Sequence, residues 1–182
     1  AAKEYQGEVR FVKVNTEQNP KVAKSFNITS IPTLLVFVDG ELADAVEALE
    51  EAYDFADETE EDEVLFYLGL ANALMGELRL ALEAVDFVEP DPSMEFFVDL
   101  ILLKGQLLTE SFAYEEAIGW LSAYNQSLAN DASAAQMSYL LQGVSHKGLG
   151  DTTNARLALQ KAVGYDGNSD AGKAARGALD DL

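Results

Sequence analysis

No cysteine occurs among the 182 residues. Thiol–disulfide exchange requires a thiolate, so no residue of this chain can carry it, and neither a disulfide framework nor a cysteine-based metal site can form within it. Histidine is present once, as His146, with no acids at metal-like spacing around it, and reads as structural or surface. There is no Gly-rich phosphate loop, Ser-His-Asp order or metal motif, so no cofactor is implied. Bases are scarce: 12 Lys and Arg stand against 32 Asp and Glu, a formal charge of −20. Nucleic-acid and anionic-membrane binding need clustered Lys and Arg, so this balance disfavours both. No apolar run approaches the roughly 20 residues of a membrane helix, and no membrane insertion is expected. Neither an initiator Met nor a secretory signal precedes Ala1, so the natural gene is expected to begin further upstream.

What is present begins with Ile28 to Glu41, ITSIPTLLVFVDGE, in which a Pro between β-branched residues precedes an apolar run and Asp-Gly. Leu34 to Val38 is continuously apolar, as a strand buried on both faces reads. Upstream, Val9 to Asn15 reads as a strand, and Asn19-Pro20 as a cap and first helical position for PKVAKSF. The order strand, helix, Ile-Pro strand, Asp-Gly hairpin, strand resembles the second half of a thioredoxin domain over about the first 50 residues. The resemblance implies a cis Ile31-Pro32 bond and a loop, Ile31, Pro32 and Thr33, that touches a bound peptide. It also implies that the strand and helix bearing Cys-x-x-Cys lie ahead of this segment. About 50 residues is marginal for a core, so the half-domain is expected to be completed by upstream sequence or by another surface.

Charge is uneven. Five bases (Lys3, Arg10, Lys13, Lys21, Lys24) lie in the first part, and the next is Arg79; between Glu41 and Glu63 there are twelve acids and no base. This run reads as a solvated connector and helix N-terminus, where carboxylates favour the helix dipole. A basic partner docking there and a general adaptation to salt are the alternatives.

From about Glu61 the chain is rich in helix formers, and Gly69, Gly105 and Gly143 recur at intervals of 36 and 38 residues. Ala81, Ala117 and Ala155 follow in register. Small residues at these offsets let two helices of a unit cross closely. The pattern resembles tetratricopeptide repeats, whose period is about 34 residues, from about Asp62 to Ser169. SYLLQGVSHKGLGDTTNARLALQKAVGYDGNS is the best match; Pro90 and Pro92 shorten the second helix of the first unit, and Phe112 stands where the second unit would have a turn Gly. Other helical repeats remain an alternative. SDAGKAARGALDDL reads as a closing helix with Ala174, Ala175 and Leu179 on its apolar side, the polar-backed cap a solenoid needs.

The repeat resemblance implies a groove lined by the first helix of each unit: Phe66 and Leu70, then Leu102 and Gln106, then Leu140, Val144 and Lys147. Carboxylate-clamp positions hold Phe66, Leu70, Leu103, Met137 and Leu141 rather than Lys, Arg and Asn, so a C-terminal carboxylate is not the expected ligand. An apolar groove suits an amphipathic helix or an extended hydrophobic segment, with ordinary core packing as the alternative for several of these residues. Trp120 reads as packing between repeats.

The expected fold is mainly α: a partial thioredoxin-like α/β module (1–50), an acidic connector or helix (51–62), three helix pairs of an α-solenoid (63–168) and a capping helix (169–182). That order resembles bacterial thioredoxin-like co-chaperones. The implied function is a non-catalytic scaffold or holdase-like co-chaperone for client proteins or a chaperone or complex partner, in the cytoplasm or a plastid stroma. The alternatives are a thiol–disulfide oxidoreductase whose Cys-bearing half lies outside this chain, and an assembly factor or subunit of a larger complex.

Overall fold

The computed structural model describes residues 36–38, 41–43, 45–56 and 60–182, together with Lys21 and Lys24 as single helical positions. Strands β1 (Val36–Val38) and β2 (Glu41–Ala43) pair antiparallel, with Val36 opposite Ala43 and Val38 opposite Glu41. Asp39-Gly40 separates them in sequence, the dipeptide that favours a tight hairpin. Helix α1 (Ala45–Phe55) follows and runs across position 50, where the sequence reading placed a boundary. Leu49 is buried, with Val46 and Ala52 beside it. This i, i+3 stripe holds the acid-rich helix against its neighbour despite its charge.

The remaining helices come in pairs: α2 (Glu61–Met75) with α3 (Leu78–Asp86), α4 (Phe97–Glu110) with α5 (Tyr114–Leu128), and α6 (Ala132–Gly148) with α7 (Thr152–Tyr165), closed by α8 (Asp170–Asp180). Each packs on the next, and each first helix also reaches the first helix of the following pair. That adjacency generates a solenoid, since every unit buries its apolar face on its neighbours.

The repeated glycines explain the crossings. A Cβ on Gly105 would sit 2.5 Å from Leu121 Cδ2, one on Gly143 would sit 2.6 Å from Leu159 Cγ, and one on Gly69 would run into Val85. The three partners are fully buried on the second helix of their pair, as are Ala81, Ala117 and Ala155. The same contact is therefore built three times, glycine on the first helix against a branched side chain on the second. Core clusters follow this division: Val64, Phe66, Val85 and Leu100 around the first pair, Ile101, Leu121 and Leu128 around the second, and Leu140, Leu159 and Ala175 towards the end.

The turns inside the pairs repeat as well. Gly76, Phe112 and Gly150 occupy the left-handed region at φ 82°, 62° and 76°. α3 stops at Asp86, ahead of Pro90 and Pro92, and the loop that follows is folded by Asp91, whose Oδ1 accepts from the Ser93 N–H at 2.8 Å and its hydroxyl at 2.6 Å. Asp131, Asp151 and Ser169 cap the last three helices through backbone N–H groups. α2 has no side-chain cap; Glu61, Asp62 and Glu63 form its first turn, where the dipole favours them.

On α8 the apolar side differs from the expectation. Ala171, Ala175, Ala178 and Leu179 pack on the last cluster, whereas Ala174 is exposed. The packed arc runs from Ala178 through Ala171 and Ala175 to Leu179, and Ala174 falls about 40° of helical rotation outside its Ala178 edge.

Candidate functional site

The first helices α2, α4 and α6 line one face of the solenoid, and the glycine register aligns Phe66 with Leu102 and Leu140, Leu70 with Gln106 and Val144, and Ala73 with Thr109 and Lys147. The structure treats these rungs differently. Phe66 is 3% exposed and stacks on Phe96 with ring centroids 4.9 Å apart, with Tyr67 edge-on at 5.0 Å. Leu140 is buried with Leu159, Ala162 and Ala175. These two hold helices together and present no surface to a partner, because a first helix buries one side on its pair and another on the next unit. Leu70, Leu102, Val144 and Lys147 are half-buried, and Gln106 is exposed. Gln106 donates to Glu110 at 2.7 Å, and Lys147 lies 3.4 Å from Asp181. The open part of the face is therefore an apolar strip, Leu70, Leu102 and Val144, bordered by an amide and an ammonium. Ile31, Pro32 and Thr33 lie outside the described residues.

One end of this face is strongly acidic. A cavity of about 230 Å³ is lined by Asp62, Glu63, Met94, Glu95 and Phe96. Partial burial, then the neighbouring Glu61 and Glu89 carboxylates, push the Asp62 carboxyl above its ordinary range. Tyr67 is raised by burial and then by Glu63, Asp99 and Glu95. The Tyr53 hydroxyl, donating to Glu61 Oε1 at 2.8 Å, is raised chiefly by that bond. Carboxylates converge here with an apolar floor of Met94 and Phe96 beneath them, so the local field favours positive charge.

Buried polar residues that sequence reasoning passed over join the units. Gln142 donates to Asn125 Oδ1 and Ser138 Oγ, both at 3.0 Å, and accepts from Ser122 at 3.2 Å, linking α5 to α6. Gln136 donates to the carbonyls of Ala162 at 2.8 Å and Asp166 at 2.6 Å and accepts from Ser169 at 2.9 Å, so a single side chain of α6 ties the end of α7 to the start of α8. Thr109 and Ser145 meet at 3.1 Å between α4 and α6. Trp120 packs on Tyr124, donates its indole N–H to the Ile101 carbonyl at 3.0 Å and carries Lys104 over its ring at 4.3 Å. Lys104 also reaches Asp86 of the preceding pair at 2.8 Å, so Trp120 serves contacts between helices. His146 Nδ1 lies 3.3 Å from Asp151 Oδ2, beside the cap of α7. Among the described residues no cluster of His, Cys, Asp and Glu could hold a metal ion, and no helix is long and apolar enough to cross a membrane.

Comparison with known proteins divides the chain in the same way. Residues 1–61 match the thioredoxin family. Thioredoxin 1 of Nostoc sp. is 49% identical over 45 residues and that of Synechococcus elongatus 51% over 45 residues, each match covering 25% of this chain and 42% of the thioredoxin. The chloroplastic M-type thioredoxin of Triticum aestivum is 47% identical over 45 residues, covering 26% of its own length. The chain thus spans less than half the length of the thioredoxins it matches. Among solved structures, a double mutant of MamA RS-1 superposes with a TM-score of 0.57 at 24% identity, over 74% of this chain and 79% of that one. The fragment 41-end of MamA from Desulfovibrio magneticus RS-1 gives the same score and identity over 75% and 80%. At that identity the likeness shows fold, a tetratricopeptide-like helical solenoid. The chain carries thioredoxin-like sequence at its start and this solenoid over most of its length.

Proposed function

We propose that this chain is a non-catalytic protein-interaction scaffold, a holdase-like co-chaperone that takes client or partner proteins along the first-helix face of its solenoid. The observation that carries the reading is the strip of Leu70, Leu102 and Val144, left half-open on three successive first helices while Phe66 and Leu140 are consumed by packing. An extended or helical segment with apolar residues on one side matches such a strip. Gln106 and Lys147, each paired with a carboxylate of this chain, border it, and the acidic end at Asp62, Glu63 and Glu95 selects for positive charge. Likeness to cyanobacterial and chloroplastic thioredoxins supports work in a bacterial cytoplasm or plastid stroma.

A second reading is favoured by the thioredoxin match over residues 1–61. In it the Ile31, Pro32 and Thr33 loop holds a substrate peptide for thiol–disulfide exchange, with both thiols supplied from outside these 182 residues. An assembly factor using the same face is the third.

The test is binding of a fluorescently labelled, permanently unfolded protein, reduced and carboxymethylated α-lactalbumin. Leu70→Glu combined with Val144→Glu places two charges on the strip and is expected to weaken binding more than about tenfold, a loss of ~1.4 kcal/mol, with Pro32→Ala close to wild type. Loss with Pro32→Ala alone would move the site to the thioredoxin-like loop and favour the second reading.

A further inference from the structure

Phe112 is set apart by its backbone and by its surroundings. Each helix pair turns through one left-handed residue, and in the outer pairs that residue is Gly76 or Gly150. Phe112 adopts the same conformation at φ 62°, where a bulky side chain is disfavoured by contact with its own backbone. The turn does not need the ring. Phe112 N–H donates to Thr109 O and Ala113 N–H to Leu108 O, and the same two bonds form at Gly76 and Glu77 and again at Gly150 and Asp151. Nor does the ring join the core, for Phe112 is 76% exposed. A strained, solvent-facing aromatic side chain that neither the turn nor the core uses is best explained by contact with something else.

Its neighbours form a surface around it. Tyr114 meets the Phe112 ring edge-on at 6.0 Å, and the Tyr114 ring also lies against Gly148, where a Cβ would have no room. Leu149, next in the chain, is 41% exposed. The turn of the second pair and the turn of the third are thereby joined into one aromatic and aliphatic edge. Glu110, Glu115 and Glu116 are exposed within four residues of Phe112, and Asp151 lies in the adjoining turn. The nearby Lys147 faces Asp181 at 3.4 Å.

We propose that Phe112 anchors a second docking surface, on the turn edge of the solenoid, for a cationic hydrophobic segment of another protein. Charge complementarity selects this occupant: the edge is apolar with a carboxylate border, and a second copy of this chain would bring a further −20 to it. The surface shares no residue with the Leu70, Leu102 and Val144 strip, so it does not rest on that strip being the client site.

The experiment is fluorescence anisotropy with a labelled peptide of leucine and lysine only, against its leucine and glutamate counterpart, using the full chain. Phe112→Gly is expected to bind the lysine peptide more than tenfold more weakly while its melting temperature is unchanged or raised, because glycine relieves the strained turn. Glu115→Gln with Glu116→Gln is expected to weaken binding at low salt and much less at high salt. Full affinity in Phe112→Gly would overturn the proposal, and so would a melting temperature lowered by several degrees, which would make the ring part of the fold. Concentration-dependent dimerisation lost in Phe112→Gly, read by sedimentation velocity, would put a second copy on the edge and overturn the stated partner. Loss of the peptide in Leu70→Glu with Val144→Glu but not in Phe112→Gly would overturn this proposal and leave the strip standing.

Discussion

Glycine appears in this chain in two opposite roles, and substitution separates them. Gly105 has no room for a methyl group: a Cβ there would lie 2.5 Å from Leu121 Cδ2 and 2.8 Å from its Cγ. Gly119, exposed within α5, has nothing within 4 Å. Gly105→Ala is expected to lose ~1–2 kcal/mol in urea denaturation, since overpacking a dense core outweighs the helix propensity gained. Gly119→Ala should gain about 0.5–1 kcal/mol by reducing the freedom of the unfolded chain. A gain at both positions would show that the helix pairs can move apart at no cost. The crossing was legible in the sequence because glycine weakens a helix, so its return in a helical pattern at a fixed offset from Ala marks a close approach of two helices. Burial of Phe66 and Leu140 was not. An apolar residue on a first helix can face its own pair, the next unit or solvent, and spacing along one helix does not distinguish the three.

Between elements, polar side chains hold what small apolar residues cannot. The cluster where α7 and α8 meet has Leu159, Val163 and Leu179 in it but is rich in alanines, Ala162, Ala171, Ala175 and Ala178, which contribute little area each. Gln136 compensates by bonding two carbonyls at the end of α7 while receiving Ser169, whose hydroxyl oxygen in turn caps α8 by accepting from the Gly172 N–H at 3.0 Å. Gln136→Ala leaves these groups without their buried partner and is expected to cost about 1–3 kcal/mol. The loss should be local, so hydrogen exchange should accelerate for amides of α8 more than for those of α6. Equal acceleration in both helices would show that α8 opens only when the whole array does. Sequence reasoning assigned α8 its capping role from an amphipathic pattern but missed its fastener. A glutamine in an Ala-rich helix reads as solvent-facing, and its three partners lie 26 to 33 residues away.

At the scale of the molecule, three nearly identical crossings stack into a continuous first-helix face with an acidic end. The crossings and the face are produced by the same repeat, so geometry is shared while chemistry varies rung by rung, from Phe66 in the core to Gln106 in solvent. The solenoid was legible because its period survives in the glycines. The apolar strip emerged only from packing. Hydrogen exchange of the full chain with and without carboxymethylated α-lactalbumin would locate the client on the solenoid. A client seated on the first-helix face would bring new protection around Leu70, Leu102, Gln106, Val144 and Lys147 on α2, α4 and α6. Protection confined to the exposed side of the second helices, around Glu83, Gly119 and Arg156, or absent from the solenoid altogether, would contradict that seating.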